Sequence, residues 1–179
     1  TKVYFGKDEE LKIGKIISEY HPSKVLIHFG GASARKSGLL ERVENCLKEE
    51  NISFVELGGV VANPELSMVR EGIALGKREG VDFVLAVGGG SVLDSSKAIA
   101  NGLANPDVDV WDFSLGKAAP ARTLPKGAIL TLAAAGSEMS SSCVITNAAT
   151  GEKRGYNSSF NRMNFAIENP VLTYTVNPY

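Results

Sequence analysis

The chain has 179 residues, 44% hydrophobic and 22% charged, which suits one globular domain, or one domain plus a fragment of another, able to bury a core. Nineteen basic against twenty acidic residues leave a net charge of -1, so nothing electrostatic points to nucleic acid or an anionic membrane, and no apolar run approaches membrane-spanning length. TKVYFGKDEELK lacks the basic-then-apolar order of a secretory signal, and Cys46 and Cys143 form no CxxC, so reduced thiols in a cytoplasmic protein are expected.

Lys2 to Phe5 fits a strand. Asp8 to Tyr20 carries Leu11, Ile13, Ile16, Ile17 and Tyr20 near a helical period, and Pro22 stops it. Val25 to Phe29 is a continuous apolar run, the pattern of a strand buried on both faces. Ser37 to Glu50 reads as a helix and Ile52 to Leu57 as the next strand. Asn63-Pro64 opens a helix with proline in its first turn, and Gly80 closes it after Glu79. Val81 to Val87 is a third buried strand, followed by a helix over Ser91 to Leu103. Asn105 to Lys126 reads as a long loop anchored by Trp111 and Phe113. Gly127 to Leu132 is a further strand.

This alternation predicts an α/β fold, a Rossmann-like parallel sheet with helices on both faces. The end differs. Ser142 to Asn147 and Lys153 to Tyr156 flank ATG and predict an antiparallel hairpin. Met163 to Glu168 is expected to add a third antiparallel strand. The expected division is an α/β domain over 1–168 and the start of an interdomain link over 169–179.

The chemistry concentrates in AVGGGSVLDSSKAIA, residues 86–100. A buried strand delivers Gly88-Gly89-Gly90 to a helix start, where first-turn amides lack internal partners and the helix dipole is positive. Bare backbone there lets a phosphate approach, although a tight turn alone also accounts for glycine. Ser91 with Asp94 fits a capping box. No lysine-serine/threonine pair follows the glycines, so this is not a Walker A loop, nor is it GxGxxG.

A second glycine loop, HFGGASARKSG at 28–38, adds Gly30, Gly31, Ser33, Arg35 and Lys36. Glu56 lies where a Rossmann domain places its ribose acid. The third loop, LTLAAAGSEMSSS, offers small residues against which a ring or ribose can pack, with Gly136-Ser137-Glu138 as a helix start. His21 and His28 join no spaced metal cluster. His28, inside a strand run, is expected to be a satisfied core histidine.

Four stretches carry a resemblance: VLIHFGGASARKSG, VVANP, AVGGGSVLDSSKAIA and ILTLAAAGSEMSSSCVIT. Together they resemble the N-terminal domain of the iron-containing (group III) alcohol dehydrogenases, of dehydroquinate synthase-like fold. The nearest likeness is to the branch of NADPH-dependent butanol dehydrogenases and aldehyde reductases. FAIENPVLTYTVNP resembles the family's link into its second domain. The likeness implies that Gly89, Gly90 and Ser91 hold the cofactor pyrophosphate, with Asp94 beside it. It implies Asn63 at the adenosine side, Thr131 and Leu132 against adenine and ribose, and Lys153 at the nicotinamide ribose.

Gly31, Ala32, Ser33 and Lys36 match the loop that selects the cofactor. NAD-preferring members tend to carry an aspartate at the Gly31 position, so its absence implies NADP(H) over NAD(H). The family's PTT and GTGSE are LTL and AAGSE here. Its metal, Fe2+ or Zn2+, is held by an aspartate and three histidines of a second, helical domain. The resemblance therefore implies a homodimeric oxidoreductase acting on an aldehyde or primary alcohol, with this chain as its cofactor half and inactive alone. A stand-alone nucleotide-binding module, and a glycerol dehydrogenase-like enzyme of the same superfamily, remain as alternatives.

Overall fold

The computed structural model describes residues 1–174. Strands β1 (Lys2–Phe5), β2 (Val25–Phe29), β3 (Phe54–Leu57), β4 (Phe83–Gly88), β5 (Lys126–Leu130) and β8 (Phe165–Glu168) form one six-stranded sheet. Its order is β1-β8-β5-β4-β2-β3, and every pair is parallel. β6 (Ser142–Asn147) and β7 (Glu152–Asn157) make a separate antiparallel hairpin.

The apolar runs explain the sheet. All of FVLAVG in β4 is buried, as only a strand covered on both faces requires. Val25, Ile27, Leu85, Val87, Ile129 and Ile167 face α1 (Ile13–Ser18) and α3 (Leu39–Glu49). Leu26 and Val84 face the layer of α4 (Leu66–Glu79) and α5 (Gly90–Ala104). Helices thus cover both faces, as the alternation predicts. β3 and β4 lie on opposite sides of β2. The loops after β2 and β4 therefore diverge at a switch point, where open α/β sheets bind ligands.

Five expectations are corrected. Residues 163–168 do not extend the hairpin; β8 runs parallel between β1 and β5, with Phe165, Ala166 and Ile167 fully buried. An apolar run gains more from burial on both faces of the main sheet than on an exposed hairpin edge. The helix after Asn63-Pro64 begins only at Leu66, because Pro64 belongs to a turn that docks the hairpin: the Thr146 amide donates to its carbonyl at 2.9 Å. The 105–126 segment holds a short helix, α6 (Val110–Ser114), which the Asp109 carboxylate caps by accepting from the Trp111 amide at 2.9 Å. Its Trp111 and Phe113 are buried anchors. No helix starts at Gly136-Ser137-Glu138, where Gly136 is left-handed at φ 70° and Ser137 is tied inward. The Ser91/Asp94 capping box does not form, because Asp94 is engaged elsewhere.

The first helix is also split, a 3-10 turn over Glu9–Lys12 preceding α1. A short helix, α2 (Ser33–Lys36), precedes α3. Of the expected link over 169–179, Pro170–Thr173 form a 3-10 turn, and residues 175–179 lie outside the described residues. Among the described residues no helix is long and apolar enough to cross a membrane.

Candidate functional site

The glycine turn sits where β4 meets α5. Gly89 is the extended N-cap residue, at φ -93° and ψ -170°, and α5 starts at Gly90. The three glycines have different reasons. A Cβ on Gly88 would stand 2.5 Å from Val92 Cγ2, so packing forbids a side chain there. A Cβ on Gly89 would meet nothing nearer than Leu132 Cβ at 3.6 Å, and on Gly90 nothing nearer than Ser137 Cβ at 4.0 Å. Neither backbone is left-handed, so neither the turn nor the core demands glycine at 89 or 90. What remains is a bare cradle at a helix N-terminus, fitted to an anion. Ser91 is half-buried beside it and caps nothing.

Asp94 points into the protein. Its Oδ1 accepts from the Ser137 hydroxyl at 2.6 Å and from Lys97 Nζ at 3.3 Å, and its Oδ2 accepts from the Val144 amide at 3.1 Å. It braces the following loop, with both carboxylate oxygens engaged by protein donors.

Gly31, Ala32, Ser33 and Lys36 all lie exposed on the second loop. A Cβ on Gly31 would meet nothing within 4 Å. Arg35, though part of the same basic stretch, is drawn away: it donates to Glu44 at 2.8 Å and also pairs with Glu56. That occupies the acid at the expected ribose position. Burial and the neighbouring Glu44 push the Glu56 carboxyl above its usual range, against the pull of Arg35.

Across from this loop, the Thr131 amide donates to the Gly88 carbonyl at 3.1 Å, which lays the third loop beside the glycine turn. A cleft of about 470 Å³ opens between Ser33, Ser37 and Arg42 on one side and Thr131, Leu132 and Leu172 on the other. Sequence reasoning missed Ser37, Arg42 and Leu172 as walls of this cleft. Only the tertiary packing of α3 and the Pro170–Thr173 turn brings them there. Asn63 and Lys153 do not line this cleft; they meet each other, Lys153 Nζ donating to Asn63 Oδ1 at 2.7 Å. Asn63 is itself left-handed at φ 58°.

On the α5 side of β2, His28 is fully buried. Its Nδ1 lies 2.8 Å from the Leu57 carbonyl and its Nε2 2.8 Å from the Ser95 hydroxyl. A carbonyl only accepts, so Nδ1 donates and Nε2 accepts from Ser95. Burial pushes the ring down to about 4. It is the satisfied core histidine the strand run predicts. Both cysteines are unbridged and buried.

A family model described as iron-containing alcohol dehydrogenase matches residues 1–170. The NADH-dependent butanol dehydrogenase A of Clostridium acetobutylicum is 44% identical over 176 residues, covering 98% of this chain and 45% of that protein. The NADPH-dependent aldehyde reductase YqhD of Escherichia coli is 37% identical over 180 residues, covering 99% of this chain and 46% of that protein. The crystal structure of NADH-dependent butanol dehydrogenase A from Thermotoga maritima superposes with a TM-score of 0.95 at 41% identity, over 99% of this chain and 44% of that one. The chain spans a little under half the length of these relatives.

Proposed function

Because the chain belongs to the iron-containing alcohol dehydrogenase family, we propose that it is the cofactor-binding half of an NAD(P)H-dependent alcohol dehydrogenase or aldehyde reductase. Residues 1–168 hold the dinucleotide and 169–179 begin the link to a metal-binding domain. The whole enzyme moves a hydride between the nicotinamide and an aldehyde or primary alcohol such as butanal or butanol. A bound Fe2+ or Zn2+ supplies Lewis-acid polarisation of the substrate oxygen. Among the described residues no group of three His, Cys, Asp or Glu side chains can hold a metal, and we assign its ligands to the second domain. The whole protein is read as a cytoplasmic homodimer; unbridged Cys46 and Cys143 suit a reducing compartment.

One observation carries the reading. The backbone at Gly89, Gly90 and Gly31 is bare, at the carboxyl ends of parallel strands, for no reason internal to the fold. The pyrophosphate lies on the Gly89–Ser91 turn, and Asp94 holds the neighbouring loop in place. Thr131 and Leu132 flank adenine and ribose in the cleft. The Asn63–Lys153 pair is assigned as a unit to the nicotinamide ribose, which revises the adenosine-side role that resemblance implies for Asn63.

NADP(H) is preferred over NAD(H). The selecting loop has no acid at Gly31, and Ser33 and Lys36 are exposed there, whereas Arg35 is held by two glutamates. Dissociation constants for NADPH and NADH, measured side by side on this chain, test both levels. Tighter NADPH binding is expected. Equal or tighter NADH binding overturns the preference, and binding of neither overturns the dinucleotide reading. The chain alone turns nothing over; a measured aldehyde reductase rate from it refutes that.

A further inference from the structure

Lys97 is a fully buried lysine that has entered so far only as a partner of Asp94. It lies on α5 past the glycine turn, and its side chain is 0% exposed. Its Nζ donates to the Ser142 carbonyl at 2.7 Å, the Ser137 hydroxyl at 2.8 Å and Asp94 Oδ1 at 3.3 Å. These three acceptors use all three ammonium hydrogens. The Ser137 hydroxyl accepts from Lys97 and donates to Asp94 Oδ1 at 2.6 Å, so the geometry of the trio is fully specified.

Burying an ammonium group is unfavourable, and an apolar side chain of the same length would fill the space with less penalty. What the lysine provides is direction. Two of its acceptors belong to the 131–142 segment. The third, Asp94, itself grips Ser137 and the Val144 amide. Residues 132–136 of that segment are exposed and outside any helix or strand, so they need an anchor. The segment also borders the cradle: Leu132 stands over Gly89 and Ser137 over Gly90.

We propose that Lys97 is a positioning residue that pins the 131–142 segment against the glycine turn, and so sets the width of the phosphate cradle. The consequence for binding rests on the dinucleotide reading of that turn. Lys97 contacts no cofactor; it acts through Ser137 and Asp94. The expectation is that both dinucleotides lose affinity alike, because the cradle is common to them, whereas Gly31 distinguishes them.

The test compares Lys97→Met with the charge-balanced pair Lys97→Met/Asp94→Asn, the second guarding against loss of folding from an unpaired Asp94. Amide hydrogen exchange is followed at 131–142 and in β4 and β5, alongside dissociation constants for NADH and NADPH. In the paired variant, exchange at 131–142 is expected to rise while β4 and β5 stay protected. Both dissociation constants are expected to rise by about tenfold, because the cradle is no longer held at its width. Unchanged exchange at 131–142 overturns the proposal. Equal acceleration in β4 and β5 also overturns it, since Lys97 is then a general stabiliser. If the unsubstituted chain binds neither dinucleotide, the functional reading falls, and the exchange pattern still decides the role of Lys97.

Discussion

Acid should loosen this fold through His28 before it reaches most carboxylates. The ring is wholly buried, with both nitrogens bonded, and its folded value is about 4 against an ordinary 6.5. Between those values the unfolded chain binds a proton that the folded chain refuses. Stability therefore rises with pH across the window: the contribution is fully present above 6.5 and is lost as pH falls toward 4. The complete effect is about 3 kcal/mol, and the step from pH 7 to pH 5 removes about 2 kcal/mol of it. Urea unfolding followed by the buried, single Trp111 measures this. The midpoint should fall on the order of 1 M between pH 7 and pH 5. The control is His28→Asn, which keeps a donor for the Leu57 carbonyl but cannot take a proton. It starts less stable at pH 7 and should lose about 2 kcal/mol less on acidification. Equal losses in the two proteins refute the argument, as does a His28 ring resonance that titrates near its ordinary value.

Gly31→Asp should raise the NADPH dissociation constant by about tenfold, through charge repulsion of the 2′-phosphate, and leave NADH binding equal or tighter. Because a Cβ there meets nothing, the melting temperature should not move; a matched loss of both cofactors sinks the assignment. Gly90→Val places branches in the cradle and should weaken both dinucleotides by at least about tenfold, with no helix-propensity penalty, glycine being the poorer helix former; titration with intact affinity denies that the turn holds the phosphates. Gly127→Ala puts a Cβ 2.1 Å from Phe165 Cζ and should destabilise by about 1–3 kcal/mol or more. Adding Phe165→Leu should recover part of that in a double-mutant cycle, and additive losses exclude the contact as the cause.

The core sheet was legible because its signal is local. VLIHF, FVLAVG and the GAIL run are continuous apolar stretches between turn residues, and they became β2, β4 and β5. The errors fall where a long-range partner decides. FAIE follows a hairpin in sequence, but its place between β1 and β5 depends on a partner strand at the other end of the chain. Pro64 has the look of a helix first turn until Thr146 claims its carbonyl. Ser91 and Asp94 have capping-box spacing, yet Asp94 answers to Ser137 and Val144. Lys97 left a local sign, since it shares one helix face with Asp94 and Asn101 at i, i+3, i+7 spacing, but nothing local shows that this face is buried.

The glycines show the same division within three residues. The sequence presents 88, 89 and 90 as equivalent, and favours a phosphate cradle only because a turn needs one glycine and not three. Packing separates them: Val92 forbids a side chain at 88, whereas 89 and 90 face open space in ordinary backbone conformations. Packing therefore accounts for Gly88, and neither packing nor the turn explains the other two. A ligand accounts for both, and Gly31, equally unconstrained on the neighbouring loop, extends the same bare edge toward the ribose. On the proposed reading, discrimination between cofactors falls to the loop at 31–36, and the affinity common to both to the turn and the segment that Lys97 is proposed to hold against it.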